Sequence, residues 1–198
     1  MTKRLLLVSA LLLVTGGCAS TKGLDVVYPP DGINRALLAS AKPRRVALGP
    51  VTDRRRDGRV GVEPESKKDI VTRRPVSEIV RDALALELGA NGHTVTSERA
   101  AVVLAVDVED FRLDVAPGYS SAQWVGKVVI ALSVTDGQSG LRLLDRRYVG
   151  IDRRQAELES ETAARDVMTT ALTRAMRDLA TDPDLARAFA RAVTASIR

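Results

Sequence analysis

The chain has 198 residues, 30 basic against 25 acidic side chains, one histidine and one cysteine. Aromatic residues make up only 3%, too few for a base-stacking platform, so nucleic acid is a poor candidate partner. A lone cysteine excludes an internal disulfide, and the formal net charge of +5, which becomes +3 once Lys3 and Arg4 are removed with residues 1–17, weakly favours anionic partners such as lipid headgroups or acidic glycans.

The N-terminus reads MTKRLLLVSALLLVTGGC. Lys3 and Arg4 form a basic start, Leu5 to Val14 is almost wholly apolar, and Thr15, Gly16 and Gly17 are small residues leading into Cys18. This is the layout of a secretory signal. Its apolar run of about ten residues is half of what a membrane-spanning helix needs. VTGGC resembles a lipobox, in which small residues precede a cysteine that is diacylated and becomes the new N-terminus, although Thr15 stands where leucine is usual. The resemblance implies lipidation at Cys18, which accounts for a thiol otherwise left over in an oxidising compartment. Ala19, in place of an aspartate, implies the outer membrane, with the body in the periplasm. Residues 1–17 are thus expected to be a lipoprotein signal peptide, 18–44 a lipidated N-terminus and tether, and 45–198 one α+β domain.

Within the tether, Ser20 to Gly23 is polar and Pro29-Pro30-Asp31-Gly32 breaks regular structure. Ile33 to Ala41 predicts a short helix with Ile33, Leu37 and Leu38 on one face. Arg45 to Val51 reads as a buried strand ended by Gly49-Pro50. Thr52 to Arg74 holds eight basic and five acidic side chains, has no period, and is expected to be a long loop. Pro75 suits the first position of a helix. Val76, Ile79, Val80, Ala83, Leu84 and Leu88 give that helix one apolar stripe, and the GANG of residues 89–92 ends it. His93 to Ser97 reads as a short strand.

Ala101 to Val115 predicts a longer strand whose phase slips. Val102, Leu104, Val106 and Val108 share one parity, while Phe111, Leu113 and Val115 take the other, so a bulge or break is expected near Glu109-Asp110. Pro117-Gly118 marks a turn. Trp124, Val128, Ile130, Leu132 and Val134 alternate again, Asp136 to Gly140 reads as a hairpin connection, and Leu141 to Asp152 returns as a strand. Ser160 is a candidate cap for a helix carrying Ala164, Val167, Met168, Ala171, Leu172, Ala175, Met176 and Leu179. Asp182-Pro183 starts another, with Leu185, Ala188, Phe189, Ala192 and Ser196 continuing its face. The order strand, helix, strand, meander, helix predicts an α+β fold, a mixed or antiparallel sheet with helices packed on one face.

Chemistry-bearing residues are sparse. His93 reads as an exposed turn histidine beyond the helix end. No set of His, Cys, Asp or Glu has metal-ligand spacing, and no nucleophile elbow accompanies the histidine. Neither a metal nor any other cofactor is expected. Asp107 with Glu109 and Asp110 reads as a solvated strand face. Arg54, Arg55, Arg56 and Arg59 form the sharpest surface feature. Their guanidinium forks suit phosphates or carboxylates, and the plainer alternative is a loop neutralised by Asp53, Asp57 and Glu63. Trp124 is assigned to the core and Tyr119 to partner contact.

The lipobox, RVALGPVTDRR with Val51, Asp53 and Arg54, Gly61, the helix end GANGHTV, VVLAVDVEDFRLDV and GKVVIALSV together resemble the YajG-type family of small outer-membrane lipoproteins, over roughly residues 45–155. That family has no established activity, so the resemblance implies a fold and a location and transfers no catalytic residue. The leading functional expectation is a membrane-anchored, non-enzymatic binding or accessory module of the cell envelope. Its expected partners are the membrane, through the lipid, and an envelope protein or an anionic lipid or glycan. An auxiliary lipoprotein of an ABC-type lipid transporter is the alternative. An activator of peptidoglycan synthases would call for a longer tether, and a hydrolase would need His93 beside a nucleophile and an acid.

Overall fold

A computed structural model describes residues 22–29 and 36–192. Cys18, the expected signal residues 1–17, Ile33 and Ser196 lie outside them. In chain order the elements are β1 (Lys22–Leu24), a 3-10 turn (Leu37–Ser40), β2 (Arg45–Asp53), β3 (Gly61–Val62), β4 (Asp69–Thr72), α1 (Val76–Ala90) and β5 (Thr94–Val95). β6 (Val102–Pro117), β7 (Ala122–Asp136), β8 (Arg142–Ala156), α2 (Glu161–Ala180) and α3 (Pro183–Arg191) follow. The fold is α+β, with mixed sheets and three helices, and its larger sheet curls into a half-barrel.

That sheet has the order β5-β2-β6-β7-β8. β6, β7 and β8 form the antiparallel meander expected from their alternation, whereas β2 runs parallel to both β5 and β6. A parallel neighbour requires a crossover, and the segment containing α1 provides it. Two bulges keep the apolar residues on one face. Leu48 pairs with Leu104 and Val51 with Val106, so β2 absorbs one extra residue at Gly49-Pro50 and continues to Asp53 instead of ending there. Val108 pairs with Ile130 and Asp110 with Val129. Glu109 is therefore the extra residue that turns Phe111 and Leu113 onto the face of Val102, Leu104, Val106 and Val108. All six are 2% exposed or less.

α2 lies against β7 and β8, α1 against β2, and the two helices touch. The approach of α2 is close because small residues meet. A Cβ on Gly126 would stand 2.7 Å from the Val167 carbonyl oxygen, and one on Gly150 only 1.8 Å from that of Ala171. Helix backbone thus rests on strand backbone, with Ala171 and Ala175 fully buried in the contact. Ser160 caps α2 by accepting from Ala163 N, and Asp182 caps α3 by accepting from Asp184 N. The Pro75 carbonyl accepts from Glu78 N and Ile79 N, which puts Pro75 at the cap position just before α1.

The polar stretch 52–74 departs from expectation. It is not a loop throughout: β3 and β4 pair inside it and bury Val60 and Ile70. β1 joins them in a second sheet, β1-β4-β3, so residues placed in the tether are built into the body. Leu24, Val26 and Tyr28 are buried, and the Tyr28 hydroxyl donates to the carboxylate of the fully buried Glu87. Leu37–Ser40 form a single 3-10 turn that buries Leu38.

Candidate functional site

The arginine-rich segment between β2 and β3 is laid along β6. Arg54 N donates to the Val108 carbonyl at 2.9 Å and Leu113 N to that of Val60 at 2.6 Å. The bulge at Glu109 and the following residues meet this strap in a cleft of about 420 Å³, lined by Arg54, Arg55, Arg56, Arg59, Glu109 and Arg112 among others. A second cleft of about 410 Å³ continues beside β3 and shares Asp57, Arg59 and Arg112 with the first.

Most of this positive charge is answered inside the cluster. Arg55 grips both oxygens of Asp53 at 2.7 and 2.9 Å, donates to the carbonyls of Arg59 and Phe111, and leaves 8% of its side chain exposed. It is a clamp fastening the strap to β6. That guanidinium bond holds the Asp53 carboxyl below its usual range against the opposing effect of burial. Arg54 pairs with Asp107 at 3.3 Å, and Arg59 with Asp57 at 2.6 Å and Asp69 at 3.0 Å. The Asp69 bond chiefly raises the Arg59 pKa, with Asp57 adding to it. Arg56 is exposed and forms no ion pair among the described residues. Of the three carboxylates expected to neutralise the loop, Asp53 and Asp57 do so. Glu63 instead takes Lys22 at 2.6 Å, and that bond, with one from Ser66, lowers its pKa. Nor is the acidic strand face an open carboxylate cluster: Glu109 pairs with Arg147 at 2.8 Å and Asp110 with Lys127 at 3.1 Å.

Tyr119 does not join this site. It is fully exposed in the β6–β7 turn, four residues beyond Val115 at the far end of the second cleft, and lines neither cleft. Trp124 is buried as expected, with Nε1 donating to the Glu157 carbonyl at 3.1 Å.

His93 corrects the sequence reading. It is 3% exposed, not a surface turn residue. Nδ1 accepts from Arg44 N at 3.2 Å, Nε2 lies 3.2 Å from the Leu38 carbonyl, and the ring packs at 4.8 Å on Phe189. Burial lowers its pKa, outweighing the opposing Leu38 bond, so the neutral ring carries its proton on Nε2. Arg44 in turn donates to the carbonyls of Phe189 and Ala190 in α3 at 3.0 Å each. The histidine is a junction between the 3-10 turn, β2 and α3. The other polar knot is Asp182, which besides capping α3 accepts from the Tyr148 hydroxyl at 2.8 Å and pairs with Arg146 at 3.2 Å. Burial works against its ionisation, and the bonds from Tyr148, Asp184 N and Arg146 outweigh it and lower the pKa. Burial, and then the Asp182 bond, push the Tyr148 hydroxyl up.

Sequence reasoning found the arginine segment because its charge density is local. It missed His93, Arg44 and Asp182 as partners in buried junctions. No local signal marked them as such: His93 stands between Gly92 and Thr94, Arg44 between Pro43 and Arg45, and Asp182, legible only as a cap, between Thr181 and Pro183. Among the described residues no group of three His, Cys, Asp or Glu side chains could hold a metal ion, and no helix is long and apolar enough to cross a membrane.

Residues 39–189 match the family Lipoprotein_16, described as uncharacterized lipoprotein. No protein of curated function matches the chain. Among solved structures it is similar to XCC0632 of Xanthomonas campestris, at 15% identity and a TM-score of 0.54, covering 81% of this chain and 90% of that one. A candidate lipoprotein from Caulobacter crescentus CB15 aligns at 15% identity and a TM-score of 0.48, over 82% and 99% of the two chains. At such identity the first likeness speaks for the fold alone.

Proposed function

The chain belongs to this family of uncharacterized lipoproteins, and from that premise we propose that it is a non-enzymatic binding or accessory module of the cell envelope, held to the outer membrane by acyl chains on Cys18 with its body in the periplasm. The observation that carries the reading is the family match over residues 39–189 behind a signal that ends in VTGGC at Cys18. Two acyl chains suffice for stable anchoring. The absence of an enzymatic role is supported by where the reactive side chains go. His93 is committed to the Arg44 amide and the Leu38 carbonyl, and four of the five arginines at the cleft are held by aspartates. The YajG-type assignment is part of the same proposal, resting on the fold-forming segments quoted above.

The test is metabolic labelling with a tagged fatty acid, followed by separation of inner and outer membranes. The native chain is expected to take up label and enter the outer-membrane fraction, and Cys18→Ala to stay unlabelled as uncleaved precursor. Unchanged labelling of Cys18→Ala refutes the anchor. Cross-linked recovery of transporter subunits with the extracted protein would replace the accessory reading by the transporter one.

A further inference from the structure

Lipid on Cys18, on which this inference rests, leaves the body little freedom to stand away from a bilayer. β1 begins at Lys22, so residues 19–21 alone separate the anchored cysteine from a strand fixed in the fold. At no more than about 3.6 Å per residue, the Cα of Lys22 lies within roughly 14 Å of that of Cys18.

The start of β1 decides which end of the body comes down. Lys22 pairs with Ile70, and Ile70 with Gly61 on the other side, while the Lys22 ammonium reaches Glu63. The chain therefore enters beside the β3–β4 turn, residues 63–68, in which Glu65, Lys67 and Lys68 are exposed. The strap leading into β3 runs in the direction of β6, because Arg54 meets Val108 and Val60 meets Leu113. Val60 to Val62 then line one cleft with Arg112 to Val115. The β3–β4 turn and the β6–β7 hairpin thus extend from the same end of the molecule, and that hairpin carries Tyr119 with its whole side chain in solvent.

We propose that this end is the membrane-facing surface, with Lys67 and Lys68 on anionic headgroups and Tyr119 at headgroup depth. Basic side chains near an anionic leaflet are attracted to it, and an aromatic ring with a polar tip suits the interface. The acyl chains supply the affinity, since Glu65 offsets one of the two lysines, and Glu157 and Glu159, exposed just past the end of β8 where Ala156 pairs with Ala122, add negative charge at the same end. The side chains set the orientation. The opposite end of the meander, where Gln138 is exposed between β7 and β8, stays in water, roughly 35 Å from Leu113 along β6.

The experiment uses the full acylated protein in vesicles of phosphatidylethanolamine with phosphatidylglycerol. With Cys18 closed as a thioether, Glu65→Cys, Ser120→Cys and Gln138→Cys each give a single thiol for an environment-sensitive fluorophore. Labels at 65 and 120 are expected to be shielded from aqueous iodide several-fold more than the label at 138, and to be quenched by nitroxide lipid. Adding Lys67→Glu and Lys68→Glu should open the label at 65, and Tyr119→Ser the label at 120. Vesicle-bound protein whose three labels are equally open to iodide overturns the proposal and leaves the anchor standing. Protein that neither floats with the vesicles nor carries acyl mass overturns the anchor, and the proposal with it.

Discussion

Replacing Gly150 by alanine tests the packing that organises the core. The new Cβ would stand 1.8 Å from the Ala171 oxygen, 2.6 Å from Ala175 N and 2.9 Å from the Ala171 carbonyl carbon. All three are helix backbone, so no side chain can swing aside, and α2 must retreat by roughly 1.5 Å to restore ordinary contact. Overpacking of a dense core costs about 1–3 kcal/mol, and an obstruction by rigid backbone belongs at the upper end. Reduced freedom of the unfolded chain returns about 0.4–1 kcal/mol, leaving a net loss of about 2 kcal/mol. With a urea slope of about 2 kcal/mol/M, the midpoint falls by about 1 M. The assay is urea unfolding of the mature chain carrying Cys18→Ser, followed by the fluorescence of Trp124, the chain's one tryptophan. Gly58→Ala is the control: nothing lies within 4 Å of its added Cβ, so it should be neutral or stabilise by about 0.4–1 kcal/mol. Equal midpoints for the parent and the Gly150 variant would show that α2 does not rest on the β8 backbone.

Asp182→Ala removes a helix cap, worth about 1 kcal/mol, and leaves the buried Tyr148 hydroxyl without its acceptor, a further penalty of about 1–3 kcal/mol. A total loss of about 2–4 kcal/mol in the same urea assay is expected, and a loss under about 0.5 kcal/mol would contradict the junction. Arg55→Ala should destabilise measurably by unclamping Asp53 and the β6 carbonyl, while Arg56→Ala stays within about 0.5 kcal/mol of the parent; equal effects would mean that the clamp is not structural. Because the folded state lowers the His93 pKa below the ordinary histidine value of 6.5, unfolded chains bind more protons there. Stability is then full above about pH 6.5 and lost as pH falls toward the folded value. Asp53 and Asp182, also lowered, from 3.8, add a second loss that begins near pH 4. Unfolding midpoints taken from pH 7.5 downward should show both phases, and His93→Gln should abolish the first. A first phase that survives in that variant would assign it to another group.

Several features were legible locally. The basic start, apolar run and small residues before Cys18 read as an export signal without reference to any fold, an expectation that the acyl labelling tests. The 3.6-residue stripes of α1 and α2 and the two-residue alternation of β6 to β8 name their own buried faces, because a single element's geometry repeats along the chain. Even the bulge at Glu109 was visible as a change of parity. At the arginine segment the charge could be read, but its consequence could not. That Arg55 is a clamp and Arg56 a free end depends on Asp53, Phe111 and the path of the strap over β6, partners that no spacing announces.

Tertiary structure decided the rest. Strands β3 and β4 stayed hidden within a polar stretch because two and four residues are too short to show a period, and their pairing is stabilised by Val60 and Ile70 only once β1 and β6 are in place. His93 left the surface because α3, about a hundred residues later, brings Phe189 over it. The glycines at 126 and 150 acquired their meaning from a helix that neither one's neighbours predict. Periodicity is written into consecutive residues. Contacts between distant segments are chosen only when the whole chain closes on its core, and it was that closure which carried the tether residues from Lys22 to Tyr28 into the body of the protein.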